Sequence, residues 1–444
     1  MERLLASYRA IPPNATVRLA KPTSNLFRAR EKATARGLDV SGLTGVISID
    51  PDERTADVAG MCTYEDLVAA TLPYGLTPLV VPQLKTITLG GAVTGLGIES
   101  ASFRNGLPHE SVLEMDILTG SGDVVTASRD LRSDLFHAFP NSYGTLGYSV
   151  RLKIELEPVK PFVALRHLRF TSVADLVTTM ERIIETGGLD GARIDYLDGV
   201  VFSADESYLC LGVQTSTPGP VSDYTGTDIY YRSIQHPSGE KHDRLTIHDY
   251  LWRWDTDWFW CSRAFGAQNP TIRRLWPRRF RRSSFYWKLI AYDRRFDIAD
   301  RIEKRNGRPP LERVVQDVEV PIGRTAEFVD WFLDNVPIEP IWLCPLRLRD
   351  DAGWPLYPIA AHHTYVNIGF WSSVPSGAEE GQTNRLIERK VSELDGHKSL
   401  YSDAYYSPDE FNELYGGETY NTVKKTYDPD SRLLDLYAKA VQRR

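Results

Sequence analysis

The chain has 444 residues, 42% hydrophobic and 25% charged, which is material for two or three domains with substantial cores and excludes a disordered chain. A formal net charge of −7 argues against a general nucleic-acid binder, because affinity for phosphates needs a basic surface. Four cysteines, Cys62, Cys210, Cys261 and Cys344, are scattered with no Cys-x-x-Cys pair, so neither a disulfide framework nor a metal site is expected.

The opening MERLLASYRAIPPNATVRLAKP lacks an apolar core of signal-peptide length, and nowhere do eighteen apolar residues run together. A cytoplasmic protein without a membrane span is expected. From Gly45 to Pro82, strand and helix signals alternate. VISID and TADVAG flank a turn at PDER, and LTPLVV reads as a strand. Between them, Tyr64 to Leu72 reads as a helix, with Thr63 as N-cap, Glu65 and Asp66 in the first turn and Gly75 as C-cap. Next, TLGGAVTGLGIES places four glycines within residues 88–100. Glycine inside a regular element costs roughly 0.5–1 kcal/mol relative to alanine, so the cluster marks positive-φ turns or a backbone pressed against a ligand. VLEMDILTGSGDVVTAS reads as a hairpin around Gly120 to Asp123, followed by the short helix SDLFHAF and the alternating strand YSVRLKIELEP.

Beyond Pro158 the elements lengthen. Val173 to Gly188 is an amphipathic helix, ARIDYLDGVVFSADESYLCLGVQT reads as strands, and Thr215 to Asp228 as a loop. RVVQDVEVPI and TYVNIGFWSS read as strands flanking the helix TAEFVDWFLDNV, and SRLLDLYAKAVQ as a closing amphipathic helix. The class is α+β, with a first domain over 1–157 and a second, also α+β, beyond it.

The glycine stretch fails two nucleotide fingerprints. Gly95-Leu-Gly97 is followed by Ile98, Glu99 and Ser100, so the third glycine of Gly-x-Gly-x-x-Gly is missing, and no Gly-Lys-Ser/Thr follows for a P-loop. The stretch resembles the flavin-contacting loop of FAD domains of the vanillyl-alcohol-oxidase type, through Thr88, Gly90, Gly91, Gly95 and Gly97. Two further segments resemble that family in the same order. They are Asp134-Leu135-Phe136 with Gly144-Thr145-Leu146-Gly147, and YGGETYNTVKKTYDPDSRLL from Tyr415.

TLGGAVTGLGIESASFRNGL, RVVQDVEVPI, IEPIWLCPLRL and GHKSLYSDAYYSPDEFNELYGG resemble the Δ24-sterol reductase (DIMINUTO/seladin) branch, from about Val46 to the C-terminus. Within that branch the text most resembles actinobacterial, mycobacterial-type FAD oxidoreductases linked to reduction of 10-methylene to 10-methyl acyl chains, as in tuberculostearic acid formation.

The resemblance implies a two-subdomain FAD-binding domain of the PCMH type (1–157), a cap domain with an antiparallel sheet (158–395) and a C-terminal segment returning to the FAD site (396–444). It implies cofactor contacts from Gln83, Thr86, Thr88, Gly90, Gly91, Gly95, Gly97, Ser100, Ser102, Gly144, Thr145, Gly147 and Lys424. The family's Arg-Gly-Gly-Gly-His-Ser loop is replaced by RLAKPTSNLFR, so Arg18, Lys21, Thr23, Ser24 and Asn25 become the phosphate contacts, and without the histidine FAD is expected to be non-covalent. NADPH as electron donor, a lipid substrate and a partner methyltransferase that makes the methylene lipid complete what is implied.

Reducing an unactivated alkene needs hydride from the flavin, a positioned acid and aromatic faces that tolerate positive charge on the substituted carbon. Glu99, in the glycine stretch, is read as either a proton donor or a loop brace. Tyr401 and Tyr405 are the tyrosine acids proposed from the C-terminal stretch, beside Asp403 and Tyr406. His109 and Tyr143 are read as cofactor contacts or exposed residues, and the bare pair His362-His363 is not a metal site.

Six of the ten tryptophans lie between Trp252 and Trp287, and Arg273 to Lys288 holds seven Lys/Arg and no acid. This alternation resembles the interfacial belts of peripheral membrane proteins, so 250–290 is expected to face an anionic membrane. A buried aromatic core beside a solvated basic turn is the alternative, and the arginines could instead hold the phosphates of NADPH or a lipid headgroup. An FAD oxidase or dehydrogenase of an alcohol or sugar, and a non-catalytic lipid-binding flavoprotein, are the rival functions.

Overall fold

A computed structural model describes the whole chain except residues 22–26, 29–36, 297–300, 302–303, 306, 308, 350, 352 and 378. Among the described residues, a six-stranded sheet is built from residues 46–158 and an eight-stranded sheet from residues 162–398, with every pairing in both antiparallel.

The first sheet runs Val46–Asp50, Thr55–Ala59, Tyr148–Pro158, Val112–Leu118, Val124–Ser128, with Leu76–Pro78 also on the long third strand. In Tyr148–Pro158, Leu152, Ile154 and Leu156 point into the core while Arg151 points out, the alternation a pleated strand requires. Arg151 pairs with Asp57, Glu114 and Asp116 on the two flanking strands. The hairpin closes as expected, with Leu118 opposite Val124. Thr63 accepts a hydrogen bond from the Asp66 amide to cap Tyr64–Thr71, and Gly75 takes the left-handed turn at φ 67°. The LTPLVV strand is shorter than expected, Leu76–Pro78.

The second sheet runs Glu240–Thr246, Phe162–Phe170, Glu206–Thr215, Tyr196–Ser203, Ile341–Leu346, Tyr365–Pro375, Leu311–Pro321, His397–Lys398. The helices Val173–Thr186 and Ile322–Asn335 cover one face, where Met180, Ile183, Phe328 and Phe332 pack on Leu197, Leu209, Leu343 and Ile368. The opposite face carries Tyr196, Cys210, Trp342 and Cys344 into a core shared with the first sheet. Coverage on both faces explains why Ile341–Leu346 is buried throughout rather than alternating.

Three expectations are corrected. The glycine stretch is not a run of turns: Leu89–Thr94 is a short helix, capped by Thr88 accepting from the Gly91 amide at 3.1 Å, and none of its four glycines has positive φ. Close packing explains them. A Cβ on Gly90 would lie 2.5 Å from the Gly60 carbonyl oxygen, and one on Gly97 would lie 2.9 Å from Pro82 and Pro108.

The closing helix is only Leu436–Ala440, because Asp435 caps it by accepting from the Ala438 amide. The tryptophans of 250–290 do not form an exposed belt. Trp252, Trp254, Trp258 and Trp260 are buried, and so is Arg273, which grips Asp257 at 2.6 Å. Arg281 is spent on the backbone carbonyls of Thr225, Gly226, Arg273 and Trp276. The exposed residues of the segment include Arg263, Arg274, Arg278, Arg279 and Lys288 with Ile272 and Leu275, the last 80% exposed. Among the described residues no helix is long and apolar enough to cross a membrane.

Candidate active site

A cavity of about 650 Å³ is lined by residues of 17–149 and 258–444, among them strands of the second sheet and the C-terminal segment. The glycine stretch supplies one wall. Gln83, Thr88, Gly90, Gly91, Gly95 and Gly97 line it, joined by Gly144 at φ 77°. A Cβ on Gly91 would meet its capping group, Thr88 Oγ1, at 2.8 Å and beyond that only Lys21 Nζ, at 4.0 Å.

Cations form a second group along the wall. Arg18, Lys21, Lys439 and Arg444 all line the cavity, and Lys439 donates to the Tyr143 carbonyl beside Gly144. A third wall is aromatic, made by Phe27, Trp258, Phe259, Trp342, Trp371 and Tyr401. Phe259 lies 4.4 Å from Trp371 and 5.4 Å from Trp342, centroid to centroid, and Phe27 lies 5.6 Å from Trp258. Trp258 and Phe259 both hold left-handed backbone, φ 47° and 58°, which bulky residues rarely accept. Such strain costs on the order of 1–3 kcal/mol per residue and persists where the surroundings enforce it; here it turns two consecutive rings onto the cavity.

Asp317, on Leu311–Pro321, enters the aromatic wall. Its Oδ1 accepts from Asn367 Nδ2 at 3.3 Å, and the nearby Tyr401 hydroxyl favours its charged form. The Tyr401 hydroxyl in turn accepts from Trp371 Nε1 at 2.9 Å. Burial pushes Asp317 up to about 7. Asp317 lies within RVVQDVEVPI and was not among the residues expected at the site. The available signal was two acids, Asp317 and Glu319, on one face of a strand whose other face is Val314, Val318 and Val320.

The predicted site residues divide. Gln83, Thr88, Gly90, Gly91, Gly95, Gly97, Gly144, Lys21 and Tyr401 line the cavity, as do Arg18 and Tyr143. Thr86, Ser100, Ser102, Thr145, Gly147 and Lys424 are not among its lining residues. Ser100 Oγ meets Tyr250 and Ser102 Oγ accepts from the Glu99 amide. Thr145 bonds the Ser142 carbonyl, and Gly147 packs on Ile117 and Leu118. Lys424 is held by Asp428 at 2.6 Å and by the Thr145 carbonyl, a brace tying the C-terminal segment to the first sheet. Thr23, Ser24 and Asn25 lie outside the described residues.

Glu99 is the brace rather than a group facing the cavity. It is buried against Arg253, 2.8 Å away, which also holds Asp198 at 2.9 Å. Burial pushes the Glu99 carboxyl up while Arg253 pulls it down. Tyr405 also lies off the cavity, bonded by Arg443 at 3.0 Å; burial, offset by Arg443, pushes its hydroxyl up to about 12. His109 is neither exposed nor at the cavity but buried edge-on against Trp354, and burial pushes it down to about 3.

These walls fit FAD. Four cations suit a diphosphate, the glycines lining the cavity let a cofactor approach backbone closely, and the aromatic wall suits a flat ring system. Residues 15–128 match the FAD binding domain family. The chain is therefore an FAD-dependent oxidoreductase carrying a PCMH-type FAD-binding domain.

It is similar over most of its length to Δ24-sterol reductases. Identity with that of Mus musculus is 26% over 433 residues, covering 94% of this chain and 80% of the relative. With that of Arabidopsis thaliana it is 24% over 436 residues, covering 91% and 76%. A shorter stretch of 145 residues is 37% identical to cytokinin dehydrogenase 7 of Oryza sativa subsp. japonica, covering 33% of this chain and 28% of that one.

Proposed function

We propose that the protein uses NAD(P)H, with NADPH as the favoured donor, to reduce an isolated carbon–carbon double bond in a lipid. The observation that carries this reading is the aromatic wall of six rings with one carboxyl among them. When bound, FAD supplies the hydride. The chain's part is to exclude water, face a developing tertiary cation with ring π-clouds, and present a proton.

The favoured substrate is a 10-methylene acyl chain on a phospholipid, reduced to 10-methyl. Exposed Arg274, Arg278 and Arg279, beside Ile272 and Leu275, support work at an anionic membrane surface, on the inner face of the cell membrane next to the methyltransferase that makes the methylene lipid. The names of the full-length relatives favour a second substrate, a Δ24 sterol side chain.

Anaerobic NADPH should bleach the bound flavin, and vesicles carrying methylene-acyl phospholipid should restore its colour with formation of the methyl product by mass. Restoration only by a Δ24 sterol would move the substrate to the second reading. Rapid restoration by air alone, without need of NAD(P)H in turnover, would replace both with an oxidase.

A further inference from the structure

Among the described residues, Asp317 is the only acidic side chain lining the cavity. Several features of the fold make room for it there. The Oδ1 atom sits 2.5 Å from where a Cβ on Gly369 would stand, so a glycine on the neighbouring strand clears the space. The Asp317 carbonyl accepts from the Ser399 amide at 3.1 Å, pinning its strand to the C-terminal segment that carries Tyr401.

The groups that face it are nearly all neutral. They are Tyr401 from the C-terminal segment, Asn367 and Trp371 from Tyr365–Pro375, Cys344 from Ile341–Leu346, and Tyr143 and Tyr357; Glu319 is the nearby acid on its own strand. Among the described residues, no cation is among the groups that shift it, and the buried Arg28 lies over the Tyr143 ring, 5.1 Å from its centroid. Glu99 is the opposite case, gripped by Arg253.

We infer that Asp317 is the proton donor to the double bond and that Tyr401 positions it, an inference that rests on the reductase reading above. The alkene π pair takes the proton from an Asp317 oxygen, so a C–H bond forms at the less substituted carbon, the O–H bond breaks and a carboxylate is left. The more substituted carbon then accepts hydride from the reduced cofactor, which is oxidised by two electrons, and solvent returns a proton to Asp317. Tyr401 is not the donor. Its oxygen already accepts from Trp371, and burial, with the Asp317 charge, pushes its hydroxyl well above the ordinary range.

The test uses the full-length, FAD-loaded protein and the variants Asp317→Asn and Tyr401→Phe. Flavin bleaching by NADPH should persist in both. Reoxidation by the alkene lipid should fall about 10²–10⁴-fold in Asp317→Asn, the range for loss of a general acid. In the wild type, reoxidation should slow as pH rises through about 7, where Asp317 loses its proton.

Tyr401→Phe should stay within about tenfold of wild type but lose activity at a higher pH, because removing a hydrogen-bond donor to the carboxylate favours the neutral acid. Unchanged reoxidation in Asp317→Asn, or abolition in Tyr401→Phe alone, overturns the inference. If no alkene reoxidises the wild type, the reductase reading falls. Asp317 is then judged by infrared titration. A carboxylic-acid C=O band present in the wild type, absent in Asp317→Asn and vanishing between about pH 5 and pH 9 supports the assignment, and absence of that band overturns it.

Discussion

Glu99 and Asp317 are two buried acids of the same fold, one off the cavity and one lining it, and burial pushes both upward. They differ in what surrounds them. Glu99 has a guanidinium at 2.8 Å and a second acid sharing it, whereas Asp317 has an amide, a phenol and an opening onto the cavity. A buried acid with a dedicated cation holds structure together; one with only neutral donors and a cavity in front of it is free to exchange a proton.

The sharpest way to break this contrast is Arg253→Met, which leaves Glu99 and Asp198 buried without a counter-charge. It should cost about 3–5 kcal/mol, read as a large drop in the urea midpoint. A smaller loss, about 1–3 kcal/mol, is expected for Gly90→Ala, whose new methyl meets the Gly60 backbone. Glu99→Gln keeps a hydrogen-bonding oxygen for Arg253 and leaves Asp198 paired, so it should cost about 1–3 kcal/mol in urea while flavin reduction and lipid turnover persist. Loss of turnover with intact flavin binding would return Glu99 to the chemistry.

Asp317→Asn should behave oppositely. The acid titrates near 3.8 when unfolded and near 7 when folded, so the folded state binds the extra proton between those values. Wild-type stability relative to the variant is therefore greatest below about pH 4 and declines as pH rises to about 7, beyond which the difference is constant. Thermal midpoints of the pair measured across that window check the sign: the variant should gain on the wild type as pH rises. The smallest effect is expected for Tyr405→Phe, within about 0.5 kcal/mol and without change in turnover, since only Arg443 loses a partner.

What the sequence disclosed was local. The Thr63 cap, the turn at Gly75, the hairpin at Gly120 to Asp123 and the long amphipathic helix each depend on residues a few positions apart, and each formed. The helix Leu89–Thr94 was hidden because two glycines lower its propensity, although Thr88 and Gly91 stand at capping distance. Alternating Trp and Arg suggested an interface because Glu99 and Asp198, which bury Arg253, lie far off in the chain, and because Asp257, which buries Arg273, is sixteen residues away at no regular helical or strand spacing. The pairing of Asp317 with Tyr401 joins a cap strand to the C-terminal segment, and no local pattern announces such a meeting.

The core shared by the two sheets has a thermal consequence. Leu152 and Ile154 of the first sheet and Trp342 and Cys344 of the second belong to one continuous apolar cluster, which also takes in Trp258 and Phe259. The glycine wall and the aromatic wall of the cavity are therefore expected to melt together. Heating should release the flavin and expose the tryptophans in a single cooperative step, so that the colour of the protein reports the integrity of the cap as faithfully as that of the FAD-binding domain.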